Sequence, residues 1–318
     1  MALVGETVSI TLGGANLADG DLAFWVPLGS EDCDGARSGP GRIASLTTTS
    51  NFSSIGAYQL CYQFQDGLPP NMYPSVQLLV ISLSTDAAAP SGTAVGCISL
   101  ITIPAAGLLA MGSETPTTSC RFGSASVSAN ATSSQLSCST LQYQAAGSTT
   151  LYADFAATGT RGDATFSFPI LSGEDGYEGF TIFDAGSITL EVPSPTGSAY
   201  NAELNVSITG AQLYNYRGGL CRFGNYTGTS ATVTSTTTMS CNKPEFPDAA
   251  RTLMGAISLE YSPNGQCFTA TGQTFFIYNA LVDSLAVSGG VKSSASSRRS
   301  LSSAASGIIN VTGEGFLP

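Results

Sequence analysis

Apolar and polar residues alternate along most of the chain with a period of two. Residues 7–12 put Val8, Ile10 and Leu12 on one face. Residues 58–64 put Tyr58, Leu60, Tyr62 and Phe64 on one face and Cys61 on the other. Such alternation predicts half-buried β-strands. Further strands are predicted over 150–155, 164–170, 187–192, 202–208, 254–261 and 273–278. Residues 76–83 form a more continuous apolar run, which suits a central strand. No window of a dozen residues carries a helical stripe, and 36 glycines and 15 prolines punctuate the strands as turns.

One phrase occurs twice, about a hundred residues apart. The first copy is Ser119-Cys120-Arg121-Phe122-Gly123 with Leu136-Ser137-Cys138, and the second is Leu220-Cys221-Arg222-Phe223-Gly224 with Met239-Ser240-Cys241. The cysteines stand 18 and 20 residues apart. Thr165-Phe166-Ser167-Phe168 and Thr274-Phe275-Phe276-Ile277-Tyr278 read as matched endings of the two copies. A repeat of this length implies an array of domains rather than a solenoid. The expected fold is all-β: tandem, disulfide-stapled immunoglobulin-like sandwiches. Modules are expected over 1–83, 92–182 and 186–283. A linker is expected over 84–92, and another follows the second module at 171–177. A Ser-rich linker or insertion follows over 284–306, and a further, truncated domain starts over 307–318. In the first module, a Tyr-rich strand around Cys61 and an acidic loop holding Cys33 suit a sandwich with its own bridge. Trp25 is expected in its core.

Composition changes the functional picture. Only 10% of residues are charged, the net charge is −11, and the only lysines are Lys243 and Lys292. Nucleic acid is therefore excluded as a partner, since phosphate binding needs Lys and Arg. Histidine is absent, which removes the commonest general base and metal ligand, and with it Ser-His-Asp or Cys-His chemistry. No cofactor or metal is expected. The 8 cysteines include no Cys-x-x-Cys, so disulfides in an oxidising compartment are expected. The favoured bridges are Cys33–Cys61, Cys120–Cys138 and Cys221–Cys241. Cys97 and Cys267 are left to pair with each other or stay free. The opening residues run straight into a strand pattern, without the charged start of a signal peptide. The apolar stretch 95–111 is too short and broken to span a membrane. The chain reads as a fragment of a larger secreted or surface protein, any membrane anchor lying outside it.

Residues 221–278 resemble the IPT/TIG family of immunoglobulin-like domains. The likeness starts at Val192-Pro193-Ser194-Pro195-Thr196-Gly197 and runs through Leu204-Asn205-Val206-Ser207-Ile208-Thr209-Gly210. It continues through Cys221-Arg222-Phe223-Gly224 and Cys241 with Pro244, and closes at Phe275-Phe276-Ile277-Tyr278. Ile308-Ile309-Asn310-Val311-Thr312-Gly313 looks like the opening of another copy. The second module matches less well. Its opening strand is expected to be missing or displaced, and no proline follows Cys138. The resemblance implies a fold more than a function, because such domains occur in receptors, in transcription factors and in large surface proteins of protists and algae. In style the composition is similar to large algal flagellar-surface and mastigoneme glycoproteins, which implies a cell-surface location, ciliary or flagellar.

Five Asn-x-Ser/Thr sequons are candidate glycan sites: Asn51, Asn130, Asn205, Asn225 and Asn310. Asn130 and Asn225 are favoured, and Asn205 requires an outward-facing position on its strand. Arg161-Gly162-Asp163 and the acidic clusters at Glu31-Asp32-x-Asp34 and Glu174-Asp175-x-x-Glu178 are read as solvated turns rather than integrin or calcium sites. Arg298-Arg299 is read as exposed linker. The expected role is structural spacing and adhesion. Its partners are neighbouring domains, copies of the same chain in a coat or filament, and N-glycans. The alternative is a receptor ectodomain binding a protein or carbohydrate through an exposed aromatic patch, with Tyr214 and Tyr216 as first candidates. A secreted hydrolase is the least favoured reading.

Overall fold

In a computed structural model the chain is built almost wholly of strands. The structure describes residues 1–13, 17–18, 20–33, 38–42, 47–65, 68–84, 87–109, 116–157, 164–171, 179–200, 202–246, 255–278, 281–288 and 308–314. In 38–42, 157, 164, 227–229, 281–288 and 308–314 it describes the backbone alone. The chain divides into two compact units, Met1–Ala185 and Gly186–Pro318.

The first unit opens with β1 (Ala2–Leu3), β2 (Thr7–Thr11), β3 (Leu22–Pro27), β4 (Ser38–Arg42), β5 (Thr47–Asn51), β6 (Gly56–Gln63) and β7 (Asn71–Leu83). β2 pairs with β5, and β4, β3, β6 and β7 form the facing sheet, with β1 parallel to β7. Leu12 and Phe52 meet Trp25, Leu60, Tyr62, Leu78 and Val80 between them, and Trp25 is buried as expected.

The continuous apolar run in β7 has a specific cause. Leu78 and Val80 face the first core, while Leu79 and Ile81 face a second core with Ile101, Ile103, Leu136 and Phe155. A strand covered on both faces cannot alternate with polar residues. The end of β7 also pairs with the first long strand of the next sandwich, Ser82 opposite Ala106 and Leu83 opposite Ala105. Of the expected linker over 84–92, residues 87–92 are therefore built in: Ala88 is buried in the second core, and Ala89 exchanges two backbone hydrogen bonds with Thr102.

The second sandwich contains β8 (Gly92–Ala94), β9 (Leu100–Ala106), β10 (Thr117–Phe122), β11 (Ala125–Ala131), β12 (Gln135–Ser139), β13 (Gly147–Thr149), β14 (Leu151–Ala157), β15 (Ala164–Pro169) and β16 (Phe180–Phe183). In the second unit, β17 (Thr189–Leu190), β18 (Gly197–Ala199), β19 (Leu204–Ala211), β20 (Leu220–Phe223), β21 (Tyr226–Ser235), β22 (Thr238–Lys243), β23 (Gly255–Ser262) and β24 (Thr269–Tyr278) form the third.

The two share one pattern of pairing. Ala89 bridges Thr102 as Ser194 bridges Ser207, and Cys138 lies opposite Ile101 as Cys241 lies opposite Val206. The parallel pair β8–β16 corresponds to β18–β24. β11 and β21 each pair with one face at their start and the other at their end. The opening strand thought missing from the second sandwich is thus β9, with Ile101 and Ile103 where the third has Val206 and Ile208.

The register corrects the matched endings. Phe180 lies opposite Thr149 as Phe275 lies opposite Ile257, and Ile182 opposite Gly147 as Ile277 opposite Gly255. The ring of Phe180 stands edge-on to Phe122 at 5.2 Å, as Phe275 does to Phe223 at 5.3 Å. The counterpart of residues 274–278 is therefore 179–183, not 165–168. β15 instead extends a hairpin with β14.

β25 (Leu281–Ser288) pairs antiparallel with β26 (Ile308–Glu314). It runs through the start of the stretch expected as a linker over 284–306. The remainder, with Arg298 and Arg299, lies outside the described residues.

Candidate functional site

The repeated phrase turns out to be a structural module with each residue assigned. Cys120 and Cys221 point inward from β10 and β20, and bridge to Cys138 and Cys241 on the opposite face, with Cα atoms 6.3 Å and 6.0 Å apart. All four are buried. Gly123 and Gly224 take φ of +60° at the first position of two-residue hairpin loops, where primed hairpin turns require a positive φ and a side chain is unfavourable. Arg121 and Arg222 point outward. Arg121 Nε donates to Asp154 at 2.7 Å with its guanidinium 4.0 Å above the Tyr152 ring. Arg222 Nε donates to Glu260 at 2.7 Å and lies 4.2 Å above Phe268. Asp154 first and Tyr152 last raise the pKa of Arg121, so it stays charged throughout the working pH range. Both arginines bind the strands together by charge and by stacking. Sequence reading singled them out by repetition but missed their partners, which lie one strand across.

Cys33 bridges Cys61 with Cα atoms 5.9 Å apart. These sulfurs pack with Phe24 and Val26, apart from the Trp25 core. This bridge pins a loop to the outside of β6 and does not tie two sheets. Among the described residues no cysteine is left as a free thiol, Cys97 and Cys267 included.

Two buried charged groups were not legible in the sequence. Lys243, wholly buried, donates from Nζ to the carbonyl oxygens of Tyr200 at 3.1 Å, Ala202 at 2.5 Å and Pro244 at 2.8 Å. Burial lowers its pKa, against the opposing pull of Glu245 and Glu203. Asp21 accepts hydrogen bonds from the Tyr62 hydroxyl and the amides of Ala18 and Gln65. The Tyr62 hydroxyl, above all, holds Asp21 below the usual carboxylate range, while burial and the facing Asp21 push Tyr62 up to about 12. A carboxylate whose pKa is depressed by folding stabilises the fold above its ordinary pKa and loses that contribution as the pH falls through its folded value. The first sandwich is therefore expected to weaken progressively below about pH 4, and Asp21→Asn to flatten that dependence. Denaturant titrations at several pH values, read from the fluorescence of the single Trp25, test this.

The proposed aromatic contacts are corrected. Tyr216 is only 4% exposed and Tyr214 is half-buried. Their rings pack at 6.0 Å, and the Tyr261 hydroxyl donates to the Tyr214 carbonyl from below. The segment caps the sandwich and offers no exposed ring of Tyr216. Tyr216→Leu is expected to cost about 1–2 kcal/mol of stability, seen as a lower denaturation midpoint, without abolishing a binding activity in the folded fraction. Among the described residues, the exposed large apolar side chains that are aromatic are Tyr73 and Phe276, and they belong to different units.

Asn51, Asn130, Asn205 and Asn225 are all exposed. Asn205 faces outward from β19, as a sugar there requires. Asn310 lies in β26, its side chain outside the described residues. Asn225 sits on the hairpin loop between β20 and β21. Beside it an apolar cavity of about 150 Å³ lies among Phe223, Tyr226, Phe246, Ile257 and Ile277. Glu31 and Asp32 are exposed. Asp34, Arg161-Gly162-Asp163 and Glu174, Asp175 and Glu178 lie outside the described residues. Among the described residues no cluster of three or more acidic or Cys ligands could hold a metal, and no helix is long and apolar enough to cross a membrane.

No family model and no curated protein matches the chain. Solved structures do. The extracellular region of plexin A4, domains 1 to 10, matches over 89% of this chain and 29% of its own, at 10% identity and a TM-score of 0.40. Four domains of the ICAM-5 ectodomain match over 86% of this chain and 73% of theirs, at 14% identity and a TM-score of 0.21. The titin fragment I67–I69 matches over 85% and 93%, at 12% identity and 0.20. This chain spans about a third of the plexin regions it matches. At such identities and scores the likenesses carry no argument about ligands or partners.

Proposed function

We propose that these modules are spacers and adhesive surfaces of an extracellular cell-surface glycoprotein, built from IPT/TIG-like domains and standing in a coat, filament or appendage such as a cilium or flagellum. One observation carries the reading: successive sandwiches, each holding a buried cystine, belong to a chain that is rich in hydroxyl side chains and only 10% charged. Such a build resists extension and reserves its exposed edges for lateral contact with like chains. A receptor ectodomain is the weaker reading, because the aromatic pair it relied on is packed into the fold.

Pulling single molecules from their ends tests this. In the oxidised protein, the residues between Cys221 and Cys241 are hidden from the unfolding step of the third sandwich. Reduction is expected to lengthen that step by roughly 6 nm, the extended length of the released loop. An unchanged step length, or free thiols at Cys120, Cys138, Cys221 and Cys241 in the secreted protein, would sink the proposal.

A further inference from the structure

We propose that Asn225 carries an N-linked glycan whose first N-acetylglucosamine lies against the apolar cavity beside its turn, with the sugar's apolar face on the Tyr226 ring, closing the end of the third sandwich. The proposal rests on the extracellular reading above and goes beyond it by naming which sugar is part of the fold.

Three observations point there. First, Asn225 sits at the loop of a tight hairpin: Phe223 pairs with Tyr226, leaving Gly224 and Asn225 outside the ladder. Asn130 and Asn205 instead lie within paired strands, opposite Ser137 and Asn242. The Asn51 amide already donates to the Gly5 carbonyl. Second, Asn225 itself borders the cavity, whose walls are mostly rings and aliphatic side chains, with Ser258 beside them. Tyr226 is half-buried and its ring packs 4.6 Å from that of Phe246. A pyranose presents one face of C–H groups, which suits an aromatic wall, and hydroxyls at its rim, which stay in water. Third, the second sandwich lacks both the sequon and the ring at the same turn. Its loop is Gly123-Ser124, and Ala125 stands where Tyr226 does. The sequon and the ring occur together at one turn and are absent together at the other.

The donor is a lipid pyrophosphate-linked oligosaccharide of the secretory pathway. The Asn225 amide nitrogen forms a bond to C1 of the first sugar as the C1–oxygen bond to pyrophosphate breaks. The amide gives up one proton, and the lipid pyrophosphate leaves with the bonding pair.

The test uses the chain secreted from a eukaryotic host. Peptide mapping is expected to find Asn225 occupied. An endoglycosidase that leaves one N-acetylglucosamine is expected to leave the Tm of the third sandwich unchanged. Complete removal by amidase, or prevention of glycosylation by Thr227→Ala, is expected to lower it by roughly 5 °C. In Tyr226→Leu the difference between trimmed and stripped protein is expected to shrink below about 1 °C, a comparison within one variant whatever its own stability. Should that variant fail to fold, the trimmed wild type serves: its N-acetylglucosamine protons are expected to show upfield ring-current shifts by NMR. Occupied sequons elsewhere with Asn225 bare would overturn the inference and leave the extracellular reading standing. No occupied sequon would overturn both. Occupancy at Asn225 with equal Tm for trimmed and stripped protein and unshifted sugar protons would make the glycan a mere surface decoration.

Discussion

The double substitution Cys221→Ser and Cys241→Ser is expected to destabilise the third sandwich by about 3 kcal/mol. The bridge closes a loop with a sequence separation of 20, and its loss returns that loop's freedom to the unfolded chain. The new hydroxyls also stand in a site where both cysteines are essentially inaccessible, and an unpaired buried hydroxyl adds to the cost. The same pair changed to alanine separates the two contributions, since alanine brings no polar group. Denaturant unfolding of the second unit measures both. An unchanged midpoint would mean that the covalent tie is redundant with the strand ladder. The matching change at Cys120 and Cys138 is expected to cost the second sandwich a similar amount, because its closed loop is of similar length.

Replacing Lys243 with methionine is expected to lower the stability of the same sandwich by about 2–3 kcal/mol. The methionine fills the space, and the desolvation of a buried charge is relieved, which favours the variant. Against this stand three backbone carbonyls, those of Tyr200, Ala202 and Pro244, that lose a charged donor together. Hydrogen bonds to charged groups contribute about 1.5–3 kcal/mol each, and acceptors left dry cost about 1–3 kcal/mol each. The Tyr200 carbonyl keeps the Phe246 amide as a donor, so the loss falls on the carbonyls of Ala202 and Pro244 and on the ammonium's contact with the Phe246 ring at 4.6 Å. Amide exchange at residues 202–204 is the sharper readout, since Lys243 ties the Tyr200 and Ala202 carbonyls to the end of β22. A midpoint equal to wild type would show that water takes over the freed carbonyls.

The strands themselves were written plainly in the period-two pattern. In β6 it even separated Tyr58, Leu60 and Tyr62, which face the Trp25 core, from Cys61, which faces a second buried cluster with Phe24 and Val26. The run in β7 was visible as apolar, but not as shared between two cores, because a sequence does not say what covers the second face. The paired cysteines were legible through repetition. The closing strand of the second copy was misplaced for a physical reason: Phe166-Ser167-Phe168 and Phe180-Thr181-Ile182 alternate equally well. Only pairing with β13 decides which one occupies the position of Phe275. Tyr216 was the first candidate for an exposed ring, while the Tyr261 that packs with its segment lies 45 residues later in the chain. The carboxylates that hold Arg121 and Arg222 are likewise distant in sequence, at separations of 33 and 38. Lys243 offered no signal, since a lone lysine at a strand end is ordinarily solvated.

β7 has a mechanical consequence. At this junction its two faces serve different cores and its last residues pair with the end of β9. Bending there must break ladder hydrogen bonds and expose Leu79 and Ile81 to water. The first two sandwiches should therefore respond to a sideways force as one stiff beam.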